Sequence, residues 1–123
     1  MTIKESLEFL KKEAKLSPNI ETCGLLGRKN GDYSVKMLKN KHSDPRNFFS
    51  IDPLEFLVFK NQNEIVSIFH SHCIGDSQAS EFDMITSENI EVPFLIFSIP
   101  ENKFNLFEPS FHNCDVKELH SSI

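Results

Sequence analysis

The sequence has little of what several protein classes require. Trp is absent, and the three cysteines are an odd number at unpaired spacings, which gives no disulfide framework and favours a reducing cytoplasm. No apolar run approaches the roughly eighteen residues that span a bilayer. The N-terminal segment is charged, unlike the apolar core of a signal peptide. We therefore expect one domain over residues 1–123, located in the cytoplasm and without a membrane role.

Positive charge is also scarce. Lys and Arg number 13 against 18 Asp and Glu, and the formal net charge is −5. A protein that binds a phosphate backbone needs a basic patch, so nucleic acid is not an expected partner. Hydrophobic residues make up 39% of the chain and include 12 Phe, which predicts a globular domain with an apolar core rich in rings.

Hydrophobic spacing and turn residues predict alternating helices and strands. The C-terminal segment is polar and is expected to be a frayed or weakly helical tail. The predicted elements are an amphipathic helix from residue 3 to about 16, a hairpin of strands 21–28 and 33–39, a helix from 53, a strand over 64–69, a helix over 80–88, strands 92–98 and 103–108, and the tail 114–123.

The second predicted helix has a strong start signal. Asp52 is expected to cap it, and Glu55 to complete a capping box with that residue. Its apolar residues Leu54, Leu57 and Val58 are predicted to form the buried stripe that packs on the sheet.

The run His70-Ser71-His72, followed by Ser80 and Asp83, predicts a metal site. Side chains two apart on a strand point the same way, so both imidazoles can reach one ion while Ser71 points to the opposite side. Hydrolytic zinc sites commonly use three protein ligands drawn from His and carboxylates and leave a fourth position to water. This segment supplies two imidazoles and a carboxylate, with a hydroxyl in addition.

Each of these residues also has an ordinary structural interpretation. Ser80 and Asp83 alone form a capping-box pattern, and a His at a strand end is usually packed or exposed. Glu21, upstream of this segment, would by itself be an ordinary exposed carboxylate. Their coincidence at one fixed spacing favours the metal site. Cys73, directly after the second His, is interpreted as a tolerated small residue in preference to a soft ligand or a thiolate nucleophile.

Glu21 with the Gly-Leu-Leu at 24–26, then His-Ser-His, seven residues, Ser, two residues and Asp, resembles the motif of the JAMM or MPN-plus zinc metallopeptidases. The resemblance runs from about residue 21 to 98. It implies that His70, His72 and Asp83 bind one zinc ion per chain and that Glu21 is the general acid and base. Ser80 would then donate to the developing oxyanion.

The resemblance also implies a fold and an activity. The fold is an α/β, cytidine-deaminase-like (JAB/MPN) fold with a mixed, mostly antiparallel curved sheet flanked by helices. The activity is hydrolysis of a peptide or isopeptide bond after the C-terminal Gly-Gly of a ubiquitin-like or sulfur-carrier protein, by a short prokaryotic or phage-type member. Two alternatives stay open: a phage tail-assembly peptidase acting on a structural protein or cell-wall peptide, and a non-catalytic MPN-type binding or scaffold module.

Overall fold

Four helices and five strands make up the chain, and the computed structural model describes all of its residues, Met1–Ile123. None of the helices has the length and apolar character that crossing a membrane requires. In chain order the elements are α1 (Ile3–Leu16), β1 (Cys23–Lys29), β2 (Asp32–Leu38), α2 (Pro53–Gln62), β3 (Glu64–His72), α3 (Glu81–Ile90), β4 (Phe94–Ser98), β5 (Lys103–Phe107) and α4 (Lys117–Ser122).

The five strands form one mixed sheet in the order β2-β1-β3-β4-β5. Only β3 and β4 are parallel, and the other neighbours are antiparallel. The central position belongs to β3, whose Ile65, Val66, Ile68 and Phe69 are all buried, as expected of a strand covered on both faces. The prediction of an α/β protein with a mixed, mostly antiparallel sheet flanked by helices is confirmed.

An irregularity in the pairing of β1 with β3 decides which way the end of β3 faces. The register shifts between Leu26 and Gly27, and Val66 of β3 is left without a partner. A bulge of this kind changes the face to which the following side chains point. Beyond it, His70 and His72 point towards the side of the sheet that carries α2 and α3, while α1 and α4 cover the opposite face.

The predicted buried stripe of α2 is wrong. Leu54, Leu57 and Val58 are 66%, 52% and 44% exposed, and the helix packs through Phe59 instead. The Phe59 ring lies over Gly27 of β1, where an added Cβ would come within 2.6 Å of the ring. The space above that glycine, which helical periodicity does not reveal, determines which face of α2 turns inward.

The start of α2 is partly as expected. Asp52 caps the helix and accepts a hydrogen bond from the N–H of Leu54 at 2.9 Å. Glu55 does not complete a capping box, because its carboxylate lies 3.9 Å from the ammonium of Lys36 on β2.

The C-terminal segment is docked, which corrects the expectation of a frayed tail. Leu119 on α4 is fully buried in the core beneath α1, and Val116 joins the same cluster. The Glu108 carboxylate adds contacts to His112 and His120 at 2.8 and 2.7 Å. The segment is mostly polar, so its composition did not indicate that Val116 and Leu119 pack in the core.

This docking makes a stability prediction. Leu119→Ala should lower the free energy of unfolding by roughly 2–5 kcal/mol, because a fully buried leucine leaves a cavity. The control Leu54→Ala, in an exposed helical position, should change it by less than about 0.5 kcal/mol. Urea unfolding followed by circular dichroism measures both, and equal small effects would show that the tail is not part of the folded core.

Candidate metal centre

Four of the predicted site residues meet at the carboxyl end of β3. His72 is the last residue of that strand and His70 lies two residues before it, and Asp83 lies in the first turn of α3. Glu21 precedes β1, whose Cys23 is paired with His70 in the sheet. Because β1 and β3 are antiparallel, the start of one strand lies beside the end of the other. All four site residues are buried.

Their polar atoms lie close together. Asp83 faces both imidazoles: Oδ1 is 3.1 Å from Nε2 of His70, and Oδ2 is 3.0 Å from Nε2 of His72. Potential ligand atoms of Glu21, His70 and His72 all lie within 4.8 Å of one another. The structure therefore brings the three predicted ligands and the predicted base into one cluster.

The environment of His72 requires either a proton or a metal ion between its ring and Asp83. Its Nδ1 is 2.8 Å from the carbonyl oxygen of Asp76, which can only accept, so Nδ1 carries a proton. In the neutral ring, Nε2 then presents a lone pair to the Asp83 carboxylate. Two acceptors at 3.0 Å repel each other unless a proton or a metal ion lies between them. Such a carbonyl contact at the far nitrogen is typical of metal-binding histidines.

Two other side chains of the cluster have buried polar atoms without a hydrogen-bond partner in the protein. These atoms are Oε1 of Glu21 and both ring nitrogens of His70; outside the cluster, the hydroxyls of Thr22 and Ser67 are the other such atoms. Nε2 of His70 is near Asp83, but the alignment is not that of a hydrogen bond. Buried polar atoms are normally paired, so such a concentration requires an explanation. Two imidazoles and a carboxylate suit zinc, and these residues fit that ion.

Burial determines the protonation of Glu21. Removal from water raises the pKa of its carboxyl group to about 8; the charges of Asp83 and Asp44 add to this increase, and His72 opposes it. A carboxyl group with a pKa near neutrality can both accept and donate a proton at physiological pH, which is what a general acid and base must do.

The other three groups form a coupled set. Burial lowers the pKa of His70, and Asp83 opposes this only in part. Burial acts the same way on His72, but contacts with Asp83 and the Asp76 carbonyl outweigh it and raise the pKa. Burial would raise the pKa of Asp83, yet the two histidines hold it well below its usual range. Asp83 is therefore an anion, and either a proton on His72 or a metal ion between the carboxylate and the histidines balances its charge.

The sequence suggested two roles for Ser80, a helix cap and a hydroxyl donor beside the metal centre, and its position is compatible with both. It is the N-cap of α3, and its Oγ accepts from the N–H of Asp83 at 3.0 Å while its own N–H donates to Oδ2 of Asp83 at 3.0 Å. This capping box orients the carboxylate that faces the histidines. The Ser80 hydroxyl keeps its proton free and lines the cleft described next.

A cleft of about 300 Å³ opens beside the cluster. Glu21, His72 and Ser80 line it, together with Arg46 and Cys73. Burial raises the pKa of the Cys73 thiol, the charge of Glu21 adds to the increase and Arg46 opposes it, so the thiol is protonated at neutral pH. This favours the interpretation of Cys73 as a tolerated residue over that of a thiolate nucleophile.

Sequence reasoning missed the polar residues that position Glu21. Ser71 points away from the histidines, as predicted, and its Oγ accepts from the N–H of Thr22 at 2.8 Å. The Asn40 side-chain amide donates to the carbonyls of Glu21 and Phe48 at 2.9 Å each. Asn40 follows a strand in a polar loop, and its sequence carries no signal that distinguishes it from other loop asparagines.

A second carboxylate between two histidines serves as an internal comparison. Nδ1 of His112 accepts from the N–H of Cys114 at 3.1 Å, so the ring proton lies on Nε2 and is donated to Glu108. The His112 nitrogen that faces the carboxylate therefore carries a proton, not a lone pair. The Glu108 contacts are ordinary hydrogen bonds that dock the tail, unlike the arrangement at Asp83.

Comparisons with known proteins give few functional clues. No protein-family model matches the chain. The chain is 26% identical to the tail tip assembly protein K of Escherichia phage N15 over 89 residues, which are 72% of this chain and 37% of that protein. The chain thus corresponds to well under half of that relative.

Two solved structures resemble the whole chain. A protein from Desulfitobacterium hafniense is 26% identical with a TM-score of 0.59, over 97% of this chain and 95% of that one. A protein from Salinibacter ruber is 15% identical with a TM-score of 0.52, over 92% and 90%. The second likeness concerns the fold alone.

The raised pKa of Glu21 predicts how the zinc-free protein responds to pH. Folding keeps Glu21 protonated up to about pH 8, whereas in the unfolded chain its pKa is the ordinary value of 4.5. Between these values the folded state binds the extra proton, so stability falls as pH rises. Glu21→Gln cannot ionise and should exceed the unmodified protein in unfolding free energy by a few kcal/mol at pH 8, with little difference at pH 4.

Urea unfolding in EDTA at the two pH values tests this expectation. The control is Glu8→Gln on the exposed surface of α1, which replaces a carboxylate away from the cluster. If the difference in unfolding free energy between Glu21→Gln and the unmodified protein is the same at both pH values, Glu21 is ionised in the folded state and the expectation is wrong.

Proposed function

We propose that the chain is a zinc-dependent peptide or isopeptide hydrolase of the JAMM or MPN-plus kind, with the JAB/MPN fold. The observation that carries this proposal is the arrangement at Asp83, whose two oxygens face Nε2 of His70 and of His72. A proton on His72 or a metal ion must lie between these groups, and a metal ion bound by all three side chains would satisfy both histidines at once. Glu21, with a buried unpaired oxygen, lies beside it, as a general base must.

His70, His72 and Asp83 would hold the ion, and zinc bound there would supply a Lewis acid and lower the pKa of a water molecule. Glu21 takes the proton of the attacking water at its carboxylate and passes it to the leaving nitrogen. The C–O bond forms first and negative charge develops on the carbonyl oxygen; the C–N bond then breaks as the carbonyl re-forms, and the proton taken from water leaves with the amine through Glu21.

Ser80 would assist the reaction by donating a hydrogen bond to the carbonyl oxygen of the scissile bond. Its hydroxyl oxygen is occupied as the acceptor of the helix cap, so its proton is the part free to act. Donation to charge that develops only in the transition state accelerates the reaction without tightening ground-state binding.

The cleft favours a substrate with small residues at the scissile bond. It is about 300 Å³ in volume and most of its lining side chains are polar, so it offers little to a large apolar side chain. A Gly-Gly tail, as in ubiquitin-like and sulfur-carrier proteins, meets that restriction.

A second candidate substrate comes from the phage relative. Similarity to a tail tip assembly protein favours a peptidase that acts during phage tail assembly on a structural protein or cell-wall peptide. The chemistry at the site would be the same, and only the protein presented to the cleft differs. A scaffold without catalysis is less well supported, because it would have no need of an unpaired buried glutamate beside two histidines.

Zinc content provides the first test. Purified protein should contain close to one zinc per chain, and Glu21→Gln should retain it because the three ligands are intact. His72→Ala should lose it, while the control His112→Ala, in the hydrogen-bonded cluster of the tail, should keep it. Elemental analysis after dialysis measures the zinc content of all four proteins. If the unmodified protein holds no zinc even after refolding with zinc, the metal proposal is contradicted.

Activity provides the second test, on a fusion protein with a Gly-Gly tail and on peptides from phage tail proteins. Glu21→Gln should reduce kcat/KM roughly 100- to 10,000-fold while zinc is retained, since general acid–base catalysis is lost. Ser80→Ala should reduce kcat about 100-fold and the free energy of unfolding by about 1 kcal/mol, because it removes a donor and a helix cap. Equal activity of Glu21→Gln and the unmodified protein would exclude the proposed mechanism.

A further inference from the structure

The chain contains two arginines, which lie in opposite electrostatic situations. Arg28 is paired with Glu64 at 2.9 Å and Asp115 at 3.2 Å, and its guanidinium lies over the ring of Tyr33. Arg46 forms no ion pair or side-chain hydrogen bond, is exposed, and lines the cleft beside the metal centre. The charge of Arg28 is compensated within the fold, whereas that of Arg46 is available to a ligand.

The backbone around Arg46 is held in a defined position relative to the proposed base. The carbonyl of Pro45 accepts from the N–H of Glu21 at 2.7 Å. On the other side, the side chain of Asn47 donates to the carboxylate of Asp44 at 3.1 Å. The turn that carries Arg46 is therefore attached directly to the residue before β1 that carries the catalytic carboxyl group.

The remaining charges of the cleft make Arg46 selective. Asp76, which also lines the cleft, repels a carboxylate in its own vicinity. Arg46 is the one arginine or lysine among the lining residues. A guanidinium presents paired donors that match the two oxygens of a carboxylate.

We propose that Arg46 binds a carboxylate of the substrate, from a free C-terminus or an acidic side chain near the scissile bond. This deepens the proposed function and rests on it: the hydrolase would select acidic or carboxyl-terminal peptides. Arg46 is then a specificity-determining residue, and the ion and Glu21 carry out the chemistry on whatever bond Arg46 helps to align.

The test uses three peptides that share an acetyl-Leu-Gly-Gly core. The first ends in Ala with a free carboxylate, the second in Ala amide, and the third in Asp amide, so the two sources of a carboxylate are separated. Zinc-loaded protein gives kcat/KM for each, and calorimetry on zinc-free protein gives Kd for each without catalysis.

Unmodified protein should favour at least one carboxylate peptide over the Ala amide by about tenfold or more, in kcat/KM and in Kd, since a charge-assisted hydrogen bond is lost with the amide. Arg46→Gln should bring this ratio close to one, and Arg46→Lys should restore part of it. The matched control is Lys39→Gln, which removes the same charge from an exposed residue of the same loop that has no carboxylate partner and lies outside the cleft.

The outcomes separate the two proposals. Hydrolysis without a carboxylate preference, or with a preference that survives Arg46→Gln, would overturn the role of Arg46 and leave the hydrolase standing. If none of the three peptides is cleaved, the Gly-Gly form of the proposed function fails, and Kd decides on Arg46. A preference in Kd that disappears in Arg46→Gln but survives in Lys39→Gln supports the carboxylate site, and equal Kd values for the three peptides overturn it.

Discussion

The carboxylate of Asp83 is the group on which the rest of the site depends. It accepts from the N–H of Ser80 and so completes the capping box of α3, and its two oxygens face the two histidines at the end of β3. One side chain thus joins helix to strand and supplies the negative charge of the cluster. Without it, the capping box of α3 would lose one of its two hydrogen bonds and the two imidazoles would have no common partner.

Burial makes this cluster costly and chemically useful for the same reason. Charged groups away from water are unfavourable unless they are paired, and Glu21 responds by holding a proton to a much higher pH than an exposed carboxyl group does. His70 is enclosed by Phe49, which stacks on its ring at 4.3 Å, and by Phe94. The apolar ring residues that stabilise the core therefore also determine the protonation of the site.

The contrast between the Asp83 and Glu108 clusters shows how similar residue types acquire different roles. Both carboxylates face two histidines at about 3 Å. The difference lies in what the far nitrogen contacts: a backbone N–H at His112, and a backbone carbonyl at His72. A single backbone contact determines whether the near nitrogen presents a proton or a lone pair, and therefore whether a cation is needed.

Much of the fold and site followed from local sequence. The strand that delivers His70 and His72 and the cap at Ser80 are short-range patterns with direct physical meaning, because pleat and helix periodicity fix the relative direction of side chains a few residues apart. Glu21 lies far upstream in the sequence and was identified only through the resemblance to the JAMM motif. Tertiary structure alone decided the rest. The inward face of α2, the docking of Leu119 and the anchoring of Glu21 by Asn40 depend on space and partners supplied by distant segments, and no local pattern encodes these.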